Sequence, residues 1–410
     1  MKTPIFVLGG YQTDFARNFA REGLDISDLV REGVEGTLGA ADIEPSRIQS
    51  IHVGNAFGEL FTGQAQLGAM PATVVPGLWG APASRHEAAC ASGGVAVLAA
   101  MAEIEAGRYD CVLVLGVEQE RNVAGDLAAR HMGSAAFAGR EGEGCRYMWP
   151  HMFSLLADEY ERRHGLSHAH LARLAEKSFA NARRNPKAQT RSWTFGPQSF
   201  GEDDLANPVI EGRLRRQDCG QVTDGAAGVV LCSASFAKER LQGAGDPAHL
   251  PRILGWGHRT AGLPLAEKLR RSQGDDHVLP HVRDAIQDAF RRAELRGHQD
   301  LDGIETHDCF TITEYMAIDH FGITPPGRSH EAIDSGMLEA SGKLPMNPSG
   351  GLVGLGHPVG ATGVRMLVDA ANQVSGEAGA CQVEGARTFA TLNIGGSGTT
   401  AVSLVVGRDL

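Results

Sequence analysis

One pattern, present twice, constrains the fold of this chain more than any other. Residues 35–57 pass from a helix end through the spacer Ile43-Glu44-Pro45 into Ile48-Gln-Ser-Ile-His-Val-Gly-Asn-Ala-Phe57. Residues 289–310 repeat the order: helix end, polar spacer, then Leu301-Asp-Gly-Ile-Glu-Thr-His-Asp-Cys-Phe310. A longer loop and a helix of small residues follow each, one led by Cys90 and the other by Gly356-His357-Pro358. An apolar strand then closes each, at 112–115 and 389–392. Such self-similarity predicts two alike αβ halves whose reactive groups come together where the helices meet. Ordinary αβ units can imitate one another, so strand order is the test.

Apolar runs fit buried strands at 5–8, 51–53, 111–115, 228–232, 388–392 and 401–406. Helical patterns occupy 27–38, 93–106, 154–160, 169–184, 281–293 and 363–374. Their alternation predicts an α/β fold with covered sheets. At 410 residues the chain exceeds one ordinary core. The halves are expected at 1–250 and 251–410. Residues 118–218, rich in Arg, His, Gly and aromatics, read as an insertion into the first half, and 237–251 as a polar link. Glycine supplies 53 residues, well above the usual share of about 7%, and is scattered as tight turns at a packed site require.

A net charge of −11 argues against general nucleic-acid binding but leaves room for local basic patches toward a phosphorylated ligand. The seven cysteines, at 90, 111, 145, 219, 232, 309 and 381, are never closer than 13 residues. That spacing offers no Cys-x-x-Cys pair, and the odd count fits a reducing compartment. The longest apolar run, 95–102, falls far short of the roughly 20 residues that span a bilayer. The N-terminal apolar run is too short for a signal peptide, and the end Gly-Arg-Asp-Leu is not the Ser-Lys-Leu address. A soluble cytoplasmic protein without a membrane span is expected.

Cys90 lies where a polar loop breaks into an alanine-rich helix, and a helix N-terminus stabilises thiolate. The bland alternative is a small buried hydrophobe. His307 and Cys309 share one face of an extended segment while Asp308 does not, and two ligands are too few for zinc, so no metal is expected. Gly396-Ser-Gly398-Thr-Thr-Ala401 matches the relaxed dinucleotide fingerprint, but the following residues read as a strand and leave no room for the required helix. No Gly-x-Ser-x-Gly elbow occurs. Cysteine chemistry survives. A nucleophilic Cys needs a base, for which His357 in its Gly-dense loop is the candidate. Backbone N–H groups at the Cys90 helix start and the Gly395-Gly396 turn are candidate oxyanion donors.

Together these residues resemble the thiolase superfamily, most closely its sterol-carrier-protein type. The carrying motifs are Cys90-Ala-Ser, His307-Asp-Cys-Phe310, Asn347-Pro-Ser-Gly-Gly with Gly356-His-Pro358-x-Gly-Ala-Thr-Gly363, and Asn393-Ile-Gly395-Gly396. Gln221-Val-Thr-Asp224 is similar to the segment returning the chain from the loop domain. The resemblance implies two duplicated βαβαβαββ halves in α-β-α-β-α layers, with an inserted loop domain. Many thiolases carry a second reactive Cys where this chain has Asn393. In the sterol-carrier type that thiol is the Cys of His-Asp-Cys-Phe, here Cys309, and no lipid-transfer domain is expected to follow.

The resemblance further implies an acetyl-CoA C-acyltransferase that performs thiolysis of a 3-ketoacyl-CoA or the reverse Claisen condensation through acylated Cys90. His357 would act as base, Cys309 as acid/base, His307 and His357 at the thioester oxygen, and the Cys90 and Gly395 N–H groups as oxyanion hole. Coenzyme A would be substrate, with no cofactor held permanently. Arg183, Arg184, Lys187, Arg213, Arg215 and Arg216 are candidates for its phosphates. A homodimer or homotetramer is implied, and some relatives use a small zinc-ribbon/OB-fold partner. Transfer to a non-CoA acceptor, a retro-aldol activity, or a silent acyl-CoA-binding subunit stay open as alternatives.

Overall fold

The computed structural model describes residues 3–241 and 249–408. Part of the 237–251 link, residues 242–248, therefore lies outside the described residues. The first five main strands are β1 (Ile5–Gln12), β2 (Ser50–Gly54), β3 (Ala83–His86), β4 (Cys111–Glu118) and β5 (Gly225–Ser233). The other four are β6 (Arg252–Thr260), β7 (Gly303–Thr306), β8 (Thr388–Gly395) and β9 (Thr400–Gly407). They form one nine-stranded sheet in the order β3-β2-β4-β5-β1-β6-β9-β8-β7.

Strand order confirms the repeat. In the first half β3 and β4 flank β2 in parallel, and β5 runs antiparallel to both β4 and β1. In the second, β7 is parallel to β8, and β9 is antiparallel to β8 and β6. The counterpart of β3 shrinks to a parallel bridge between Met346 and Ile304. The halves join at β1 and β6 through Ile5 with Ile253 and Phe6 with Arg252.

The principal helices are α1 (Ile26–Ala41), α2 (Ser92–Glu105), α3 (Gly125–Gly133) and α4 (Met148–His164). These are followed by α5 (His168–Ala182), α6 (Pro280–Arg292), α7 (Thr311–His320) and α8 (Thr362–Ser375). Strand alternation sorts the layers. Val112 and Val114 of β4 face Ala96, Val97 and Ala100 of α2 in the centre. Cys111, Leu113 and Leu115 face outward onto Val30 and Val34 of α1. Likewise Val402 and Leu404 of β9 face the centre, where α8 contributes Val364 and Leu367, while Ala401 and Val405 meet α6 and α7 outside. The layers run α-β-α-β-α, with α2 and α8 between the two sets of strands.

The inserted region carries α3, α4 and α5. Phe153, Leu156 and Leu174 join the apolar cluster around α7, which fixes this region over the second half. Among the described residues no helix is long and apolar enough to cross a membrane.

Candidate active site

The starts of α2 and α8 meet backbone to backbone. A Cβ on Gly93 would lie 2.8 Å from Gly360 O, and one on Gly363 would lie 2.3 Å from Gly94 N. Only glycine permits this approach, and it brings Cys90 beside His357. Cys90 follows Ala89, whose φ of 49° is a left-handed conformation costing a side-chain-bearing residue about 1–3 kcal/mol. Ser92 holds that turn, donating to Ala89 O at 2.6 Å and accepting from Ala88 N at 2.9 Å.

Asn393 near the end of β8 donates to Cys90 O at 2.9 Å, and its Nδ2 stands 3.4 Å from His307 Nδ1. The sulfur of Cys90 and one nitrogen each of His307 and His357 all lie within 4.8 Å of one another. The two imidazoles stand edge to face with centroids 5.2 Å apart. The trio offers three ligand atoms where a closed structural zinc site takes four.

The hydrogen bonds of His357 define its tautomer. Thr362 Oγ1 donates to Pro358 O at 3.0 Å, so at its 2.7 Å contact with His357 Nδ1 it accepts. The proton therefore sits on Nδ1, and Nε2 keeps an unpartnered lone pair. After β7 the side chains alternate as expected. Asp308 accepts from Leu352 N and Ser178 Oγ, while Cys309 turns to the opposite side.

Cys90, Cys309 and His357 open onto one cavity of about 380 Å³. The inserted region supplies much of its apolar wall: Met132 of α3, and Met148, Trp149 and Phe153 of α4. Burial dominates the electrostatics. It holds His357 down to about 3 and His307 well below the usual imidazole range, with Arg365 adding to both effects. It pushes the half-buried Cys90 thiol up to about 12, aided by Glu120 and opposed by the N–H groups of Gly396 and Cys90. Burial and then Cys90 likewise drive Cys309 well up.

Burial thus opposes the thiolate that a helix N-terminus would favour. α2 begins two residues after Cys90, at Ser92. Both shifts favour neutral thiol and neutral imidazole. In His357→Ala, which lacks the neighbouring base, alkylation of Cys90 by iodoacetamide, followed by peptide mapping, is therefore expected to climb about tenfold per pH unit from about pH 7 to about pH 10. A plateau near pH 8.5, the behaviour of an ordinary thiol, would contradict it.

The six proposed phosphate-binding cations do not gather. Arg216 lines the Cys90 cavity. Arg184 and Lys187 line a separate cavity beside Tyr11 and Asp369. Arg213 is paired with Asp158 and Glu161, Arg215 with Asp204, and Arg183 lies over the Phe195 ring. Of the proposed oxyanion donors, the Cys90 N–H faces its own sulfur. Gly395 packs so closely under Ala88 O that a Cβ would come within 2.1 Å, and the neighbouring Gly396 N–H faces the sulfur.

Two alike halves, with a thiol, two imidazoles and a second thiol at their junction, define a duplicated α/β protein built around a cysteine–histidine cluster. The family description "Thiolase, N-terminal domain" matches residues 5–192 and "Thiolase C-terminal domain-like" matches 266–408. An acetyl-CoA acetyltransferase of Methanothermobacter thermautotrophicus is 32% identical over 98% of this chain and 99% of its own length. Sterol carrier protein 2 of Gallus gallus is 28% identical over 98% of this chain and 72% of its own. The solved Ltp2-ChsH2(DUF35) aldolase shares the fold with a TM-score of 0.76 at 20% identity, over 99% of this chain and 98% of that one. The chain belongs to the thiolase family.

Proposed function

We propose that this chain is a thiolase-type acyltransferase working through a Cys90 thioester. The observation that carries the reading is the opening of Cys90, Cys309 and His357, whose Nε2 is unpartnered, onto one largely apolar cavity. In thiolysis His357 takes the Cys90 proton and the sulfur attacks the 3-keto carbon. The C2–C3 bond breaks, leaving acetyl-CoA enolate, which takes a proton from Cys309 while His307 and His357 stabilise its oxygen. Coenzyme A then attacks the acyl-enzyme, its thiol proton passing to Cys309, and Cys90 leaves as thiolate and recovers its proton from His357. Backbone N–H groups of Cys90 and the Gly395-Gly396 turn hold the tetrahedral oxyanion. Claisen condensation is the same sequence reversed.

Coenzyme A and its thioesters enter as substrates in this reading, and Arg216 is the cation best placed for a phosphate. The exposed edge strand β3 fits assembly of a homodimer through the core sheet. Incubation with acetyl-CoA is expected to add one acetyl group to the intact mass, and Cys90→Ala to abolish the adduct. No adduct with any acyl-CoA would sink the reading. CoA-dependent cleavage of a 3-ketoacyl-CoA separates thiolysis from acyl transfer to another acceptor.

A further inference from the structure

Two glutamates stand two residues apart at the end of β4 and receive opposite treatment. Glu118 is fully satisfied: it accepts from Asn55 Nδ2 and Ala56 N at 2.8 Å, and from Phe57 N and Gly360 N at 3.0 Å. Glu120 is 1% exposed, lines the Cys90 cavity, and neither carboxyl oxygen closes a hydrogen bond. The Thr223 N–H is directed toward it without satisfying it. Its backbone is nevertheless fixed, because Asp224 Oδ1 accepts from Glu120 N and Arg121 N, both at 2.8 Å.

An unsatisfied buried carboxyl beside two others is a cost to the fold, of the kind kept where a ligand repays it. No cation is among the residues that dominate its surroundings; those are Glu118 and Asp224. Burial and these two acids hold its carboxyl well above the usual range. This favours the protonated form of the carboxyl, which can donate as well as accept a hydrogen bond.

Resting on the reading that this cavity takes acyl thioesters, we propose that Glu120 determines specificity by hydrogen-bonding a hydroxyl or carbonyl oxygen on the acyl chain. The site then favours oxygenated acyl thioesters over plain alkanoyl thioesters of the same length. A plain chain leaves the carboxyl dry and unpaired, which is the arrangement that discriminates most strongly between a substrate and its deoxy analogue.

The test compares dissociation constants of butyryl-CoA, 3-hydroxybutyryl-CoA and 4-hydroxybutyryl-CoA, read from the fluorescence of Trp149 on the cavity wall. Cys90→Ala serves as background, so that binding is measured without chemistry. At least one hydroxylated thioester is expected to bind about tenfold or more tightly than butyryl-CoA. Glu120→Met is expected to erase that ratio, and Glu120→Gln, which keeps a donor, to retain much of it. Glu120→Met is also expected to raise the melting temperature of the empty protein, since it removes an unpaired buried acid. Equal ratios in the parent and Glu120→Met, or a parent that prefers butyryl-CoA, would overturn the proposal. The acyltransferase reading fails separately, through absence of the Cys90 adduct, and leaves these binding ratios measurable.

Discussion

His357→Ala is expected to slow acylation of Cys90 by roughly 10²–10⁴-fold, the contribution of a positioned general base. The size follows from the resting protonation states. With burial pushing its thiol up to about 12, Cys90 holds little thiolate at neutral pH, so attack depends on a base that takes the proton as the bond forms. His357 suits that role because Thr362 fixes the proton on Nδ1 and leaves Nε2 free. Burial keeps the ring neutral down to about pH 3, so its Nε2 lone pair is available across the neutral range. Acylation rates followed by intact mass in the parent should therefore change little across the neutral range. The His357→Ala rate should climb with pH as hydroxide replaces the lost base. Thr362→Val, which loosens the tautomer without removing the base, should fall between the two. A His357→Ala rate within threefold of the parent would remove His357 from the mechanism.

What the sequence revealed and what it concealed divide along burial. Strands such as β4, β5 and β9 are buried on both faces and stand out as continuous apolar runs. β6 interleaves glycine, histidine and arginine with its apolar residues and gives no such run. α7 escaped because it is buried all round and carries Glu314, Asp319 and His320 inside, so it has no polar face to set a period. Cys90, His307, Cys309 and His357 were legible through motif order. Glu120 was not, since a glutamate leaving a strand reads as solvated unless its surroundings are known. The surroundings of the basic runs were hidden for the complementary reason: sequence does not show that Asp158 and Glu161 pair with Arg213 and Asp204 with Arg215.

Arg365→Met is expected to lower stability by about 3–5 kcal/mol at neutral pH, the usual cost of leaving buried charges without their partner. Arg365 is wholly buried, and its Nη1 donates to Glu305 and Asp369, each at 2.8 Å. Burial already pushes Asp369 upward despite the guanidinium, and losing the cation would push it higher. The folded variant then binds more protons than its unfolded chain, so its stability falls as pH rises from the ordinary carboxyl range through the raised value. Urea unfolding should accordingly show the smallest deficit near pH 5 and the largest near pH 8. Arg365→Lys, which keeps a charge, should recover part of the loss. A deficit independent of pH would mean that packing, not charge, is what Arg365 supplies. Because the same guanidinium helps hold His307 and His357 neutral, the acid limit of acylation should move to higher pH in Arg365→Met. This ties the stability of the core beneath the site to the protonation state that the proposed chemistry requires.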